Sequence, residues 1–327
     1  MSIADDYIQR QILTQRYIAR LTKENLSQLV QMHEMIGNMI VKSGSTIKLE
    51  AMRRDIEFAL GESIKKFDES MKDSLTKLAQ QELLFISNTV TTNTNILLAA
   101  VKFETIKEAI MNSSLGIELG GMTLGQALQE FELGQATAIR QIIFDGVVTG
   151  ESLRDMAKNV RNLGATRTKA QIDTLTRTLV NHTTAQTRLS FALERKGVFS
   201  GEEWIAVLDS RTTMLCAGRD GTVYDVGMGP QPPAHWNCRS LRVPVINSQY
   251  DEQTGKSNRE DFDTWLRDQP KGFQEEFFAG KSNQKDKLAL FRKGDLKLEK
   301  FRDESGVEYS MDELQSYYAD AYKKSGI

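Results

Sequence analysis

The longest regular signal in the chain is a stripe of apolar residues at steps of three or four: Ile56, Leu60, Ile64, Phe67, Met71, Leu75 and Leu78. That spacing keeps all seven on one face of a helix and predicts a long amphipathic helix that needs a partner surface. A looser version of the pattern, Ile8, Ile12, Leu21, Leu29, Ile36 and Ile40, predicts a second helix over residues 5–41, and the Ser-Gly-Ser at 43–45 predicts the turn between the two. Small residues at 112–121 interrupt the pattern and predict a hinge, after which Thr123 and Gln126, at capping-box spacing, restart a helix. Further helices are expected over 124–144, 152–163 and 168–196, with Gly146, Gly150, Gly164 and Gly197 at the breaks.

Proline sharpens this division, because all five prolines lie at or after Pro230. A proline inside a helix costs about 3 kcal/mol, so the long upstream stretch lacks the commonest helix breaker. Beyond Gly197 the texture changes: residues 203–208 (EWIAVL) read as a strand, turn residues crowd 209–233, and 249–259 read as an exposed polar loop. Short amphipathic pieces follow to the end. The expected fold is mainly α with a small α+β C-terminal domain, the long N-terminal amphipathic helices preceding a compact strand- and turn-rich domain. Four segments are expected: a helical region at 1–121, a helical subdomain at 122–196, a compact block at 197–248 and an extension at 249–327.

Composition narrows the class. Of 327 residues, 40% are hydrophobic and 26% charged, with 42 basic against 44 acidic side chains, which excludes a wholly disordered or collagen-like chain. No apolar run approaches the ~20 residues of a bilayer span, so no stable membrane insertion is expected. The N-terminus has neither the basic patch nor the apolar stretch of a signal peptide, and the protein is expected to stay in the cytoplasm where it is made. Two cysteines, Cys216 and Cys238, are too few for a disulfide scaffold and are expected to be reduced.

One block gathers the residues capable of chemistry. Residues 204–239 hold both cysteines, His235 and three of the five prolines. Asp209, Cys216, His235 and Cys238 form a candidate zinc set, with His235 three residues before Cys238, although the paired CxxC spacing of a zinc knuckle is missing. The competing reading is a loop-rich corner in which the carboxylates and His235 bond backbone groups and the thiols pack as small apolar side chains; it is preferred, with no cofactor assigned. Phosphate-loop, dinucleotide, metalloprotease and esterase signatures are all absent, so no enzyme is expected. Residues 154–196 carry nine Lys or Arg against three acids. Arg161, Arg167, Lys169, Arg177 and Arg188 would contact phosphates if they shared a face; a solvated helical surface is the alternative.

As a string, the block resembles the signature of the phage Mu F-like minor head proteins, also called phage head morphogenesis proteins. That family runs from a helix ending in a basic residue and glycine, through a Trp strand into an Asp-Ser/Arg-Thr turn, a Cys, an Asp-Gly and a Pro-Pro-x-His-x-x-Cys-Arg stretch. Here these are Lys196 and Gly197, Trp204, Asp209 to Thr212, Cys216, Asp220 with Gly221, and Pro232, Pro233, His235, Cys238 and Arg239. Thr264 to Gln269, LFRKGDLKLEKF and YSMDEL are similar to a C-terminal extension of many members. The resemblance implies a structural role for the block in a minor capsid protein of the virion. Such a protein sits inside the head near the portal, meets the portal and major capsid proteins, lies beside packaged double-stranded DNA, and assists head assembly or DNA ejection. The alternative it leaves open is a DNA-binding or nuclease-like enzyme, since some members carry toxin modules after the shared block.

Overall fold

A computed structural model describes residues 3–94, 101–116, 119–165, 167–250, 259–279, 283–303 and 306–327. The chain divides into two compact units. One, the helical unit, comprises Asp5–Phe191 together with Pro233–Cys238; the other, the sheet unit, comprises Met1–Ala4, Ala192–Pro232 and Arg239–Ile327.

In the helical unit the two long stripes become α1 (Ile3–Ser43) and α3 (Arg53–Thr94), with a short α2 (Thr46–Ala51) between them. Gly44, at φ 75°, ends α1, and the Ser45 side chain caps α2 by accepting from the Lys48 N–H. Cross-helix bonds run from Tyr17 to the Ser74 carbonyl (2.9 Å), from Asn25 to the Met71 sulfur (3.7 Å) and from Gln28 to Ser70 (3.1 Å). As the α1 number rises the α3 number falls, so the helices pack antiparallel. Ile56, Leu60, Phe67, Met71, Leu75 and Leu78 are buried as the spacing predicts. The first half of α1 departs from expectation: Ile12 is 52% exposed, and the covered face carries Tyr7, Gln11, Thr14 and Ile18 instead. Half of that face is polar, which is why counting apolar residues misplaces it.

The polar contacts of this face converge on Glu82, whose carboxylate is fully buried. It accepts from Arg10 Nε of α1 at 2.8 Å and from Arg188 Nε at 2.7 Å. Arg188 belongs to α7 (Arg167–Leu193), and its guanidinium also lies 5.0 Å from the Tyr7 ring. One acid thus joins three helices, and Tyr7 packs edge-on against Phe85 beside it at 5.2 Å.

Helix α4 (Phe103–Asn112) follows, and the predicted hinge after it is a closed loop within the unit. Leu115 N–H donates to the Met122 carbonyl at 2.8 Å, Ser114 and Thr123 form an isolated bridge, and Leu115 and Leu119 are buried. Residues 117–118 lie outside the described residues. The capping box of Thr123 and Gln126 starts α5 (Leu124–Thr149), which Gly150 ends at φ 69°; α6 (Leu153–Ala165) and α7 complete the set. On α7 the inner positions are polar: Thr176, Thr178, Asn181, His182, Thr183, Thr184, Thr187 and Arg188 are all buried.

The sheet unit is built on three antiparallel strands in the order β2-β1-β3, namely β1 (Phe199–Ile205), β2 (Val223–Tyr224) and β3 (Leu241–Ile246). The predicted strand is present but starts four residues earlier, with an irregularity between Phe199 and Gly201. Pro244 is accommodated because β3 is an edge strand. Glu202 and Arg242, both buried, face each other at 3.4 Å, and the Arg242 guanidinium lies 4.8 Å from the Tyr224 ring. The short α8 (Met214–Arg219) lies between β1 and β2 in sequence. C-terminal to β3, helices α9 (Phe262–Asp268), α10 (Lys271–Phe278) and α11 (Gln284–Arg292) enclose Phe262, Phe277, Phe278, Phe291 and Phe301 in an aromatic core; α12 (Met311–Tyr317) and α13 (Ala319–Ser325) follow. Of the polar loop at 249–259, residues 251–258 lie outside the described residues. The fold is mainly α with a small α+β part.

Two outcomes follow for the helical unit. Glu82→Ala leaves Arg10 and Arg188 without their buried counter-charge and lowers stability by about 3–5 kcal/mol in urea unfolding, whereas Glu82→Gln, which keeps an acceptor, costs less. Burial holds both His33 and His182 down to about 4 against an ordinary 6.5, although the Ile110 carbonyl, accepting from His182 Nε2 at 3.0 Å, pulls the second the other way. Unfolding lets both imidazoles charge. Their stabilisation is therefore complete above pH 6.5 and is lost as pH falls toward 4, by at most about 1.4 kcal/mol per pH unit for each. Helical circular dichroism melts at pH 7 and pH 5 measure that slope, and replacing both histidines with glutamine flattens it.

Candidate functional site

The marker residues of 197–244 act mostly as fasteners. Trp204, on β1, is fully buried and exchanges backbone bonds with the turn before β2: its N–H donates to the Thr222 carbonyl and its carbonyl accepts from the Gly221 N–H, both at 2.8 Å. Gly221 stands at φ 73°, where a residue with a Cβ is strained, and this explains the Asp-Gly pair. Asp220 uses both oxygens. It accepts from the N–H groups of Ala206 (2.6 Å) and Phe262 (2.7 Å) and pairs with Arg259, tying the end of β1 to the start of α9. Burial pushes its carboxyl above the usual value despite these donors.

Asp209 anchors the turn after β1. Arg239 grips it with two bonds, of 2.5 and 2.6 Å, while the Arg211 N–H donates to Oδ1 at 3.0 Å. Burial works to raise the carboxyl, but Arg239 and Arg211 outweigh it and hold it below its ordinary value. Both oxygens are engaged by arginine. Thr213 caps α8 by accepting from the Cys216 N–H at 3.3 Å, and Cys216 is buried on that helix and forms no disulfide.

Pro233–Cys238 is part of the helical unit, where it lies along α7. The Asn237 N–H donates to Thr178 Oγ1 (3.2 Å), its side-chain amide to Thr174 Oγ1 (3.1 Å), and the Cys238 carbonyl accepts from Asn181 Nδ2 (3.0 Å). Asn237 sits at φ 61°, a conformation asparagine tolerates better than most residues. At Gly116 a Cβ would come within 2.5 Å of the Pro233 carbonyl, so only glycine admits the segment there. Nδ1 of His235 lies 2.8 Å from the Trp236 carbonyl, to which it donates. A ring nitrogen of His235 and the Cys238 sulfur are within 4.8 Å of each other.

The basic residues do not form one face. Arg188 is buried on Glu82; Arg161 pairs with Glu34 (2.8 Å) and Asn38 (2.8 Å); Arg177 pairs with Gln15 (2.6 Å) and Asp173 (3.3 Å). Lys169 is exposed, and the side chain of Arg167 lies outside the described residues. Charge counting missed this because it cannot separate a buried arginine from a solvated one. The signal within reach was the run of threonines and asparagine around Arg188, too polar for a core built by hydrophobicity and too uncharged for a solvent face.

Residues 137–242 match the family described as phage Mu protein F like protein. The match spans the second half of α5, all of α6 and α7, and the block up to the start of β3, and it contains every marker residue from Trp204 to Arg239. No curated protein and no solved structure matches the chain.

Asp209→Ala and Arg239→Ala should each destabilise the sheet unit by about 1.5–3 kcal/mol, the worth of hydrogen bonds to charged groups. The double variant should cost much less than the two together, because each single change already breaks the same pair. Urea unfolding followed by tryptophan fluorescence, with Trp236 and Trp265 replaced by phenylalanine so that Trp204 alone reports, measures all three. Since Asp209 is held below its ordinary value, its contribution is present above the usual carboxylate range and is lost as pH falls through it.

Proposed function

We propose that this chain is a head morphogenesis protein of a tailed phage, a minor capsid component that assembles with the portal and major capsid proteins inside the head. The match over residues 137–242 carries the reading. The chemistry of the block supports it, because Asp209, Asp220, Arg239 and Gly221 are consumed in holding strands, turns and helices together. A group already engaged on both oxygens is poorly placed to act as a general acid or base. No helix among the described residues is long and apolar enough to cross a membrane, in keeping with assembly in the host cytoplasm. The reading assigns the chain no turnover and no cofactor, and gives the long α1 and α3 helices the work of meeting partners.

Particles produced with and without the gene provide the test. Particles made without it should lose infectivity or assemble aberrant heads, and the wild-type chain should copurify with portal-containing heads at few copies. Normal, fully infectious particles lacking the chain would defeat the proposal. Degradation of duplex DNA by the purified protein would favour the nuclease-like alternative instead.

A further inference from the structure

A second site stands in the sheet unit, beside α8 and the turn that precedes β2. Residues Leu298–Phe301 form a single 3-10 turn packed on α8, and Arg302 follows it. Arg302 is 8% exposed. Its Nε lies 3.0 Å from the point where a Cβ on Gly218 would sit, so a glycine in α8 is what lets the guanidinium rest there. Nε has no hydrogen-bond acceptor, and Nη1 has only the Asp303 carbonyl at 3.4 Å. Arg219, also buried, lies over the Trp204 ring at 5.3 Å. Among the described residues neither arginine has a carboxylate within ion-pair distance. Burial first, and then the Arg219 charge, hold Arg302 below the ordinary arginine range.

Buried cations are normally paired, because an unpaired one forfeits its hydration for nothing. This one opens on a cavity of about 490 Å³ walled by Tyr224, Tyr309 and Tyr318. The volume falls in the range of small-molecule sites. The other charges on its wall are already spoken for: Glu299 and Lys300 pair at 3.4 Å, and Asp303 accepts from the N–H groups of Gly306 (2.8 Å) and Val307 (2.9 Å). Among the described residues, neither carboxylate on the wall, Glu299 or Asp303, is within ion-pair distance of Arg302. What the cavity offers beside that cation is a set of aromatic rings, on which a nucleobase can stack.

We propose that this cavity binds a nucleotide, its phosphate on Arg302 and its base against the tyrosines. A guanidinium fork suits phosphate, and three rings suit a planar base better than an aliphatic acid. The phosphate can come from a free nucleotide or from the 5′ end of a DNA strand. The inference does not depend on the head-assembly reading, and either can fail alone.

Calorimetric titration of the full-length protein with a nucleoside 5′-monophosphate, with inorganic phosphate, and with short single strands bearing or lacking a 5′-phosphate tests it. The monophosphate should bind, and inorganic phosphate should bind about tenfold more weakly or worse. A phosphorylated strand that binds while its unphosphorylated twin does not identifies a DNA end as the source; binding of the free nucleotide alone identifies the small molecule. Arg302→Met should lower affinity at least about tenfold while leaving thermal stability unchanged or raised, since it removes a cation that has no partner. Tyr309→Leu should weaken nucleotide binding and spare phosphate. Absence of nucleotide binding to the folded wild type at millimolar concentration overturns the proposal, and so does an Arg302→Met protein that melts markedly earlier yet binds as well as wild type.

Discussion

A carboxylate with no water around it organises the helical unit. Glu82 has two arginines, from α1 and from α7, and the cost of burying the acid and Arg188 is recovered only while both contacts hold. Hydrophobic packing along α1 and α3 would tolerate sliding by a helical turn; an acid held between two guanidinium groups does not. Fixing α7 fixes more than a helix, because Thr174, Thr178 and Asn181 on its surface hold the 233–238 segment. The position of His235 and Cys238 within this unit therefore traces back to an ion pair on the far part of the same helix.

The elements legible in the sequence were those written in apolar spacing or in cap chemistry. The Ile56-to-Leu78 stripe is buried almost residue for residue, and the Thr123 and Gln126 pair forms both bonds of its capping box. Hidden from the sequence was the burial of polar faces, even on helices whose existence was expected. Along α7, Thr187 bonds the Thr183 carbonyl at 2.8 Å and Thr184 the Asn181 carbonyl at 3.0 Å, so polar side chains can share the interior with apolar ones such as Leu175 and Leu179. The same property made the basic residues of 154–196 look available when several were already engaged. Likewise, 112–121 reads as a hinge by composition, yet its leucines are buried and its backbone bonds close it.

The marker block was legible as a pattern before its purpose was. Read as letters, Asp209, Cys216, His235 and Cys238 make a ligand set; the fold commits Asp209 to Arg239 and Arg211. A carboxylate with an arginine thirty residues downstream gives no local signal, since only the folded turn brings them together. The glycines are more transparent in retrospect: Gly221 needs a positive φ, and Gly116 needs the missing side chain for the passage of Pro233.

The crossing of residues 233–238 into the helical unit also bears on how the chain can be divided. Because both units are discontinuous in sequence, no single cut yields either of them whole. Ending the chain after Phe191 leaves the helical unit with bare threonine and asparagine groups on α7, and starting it at Ala192 leaves a six-residue stretch without its bed. Evolution is under the same constraint: residues 233–238 and the α7 surface that holds them can change only together, because each supplies the other's hydrogen-bond partners.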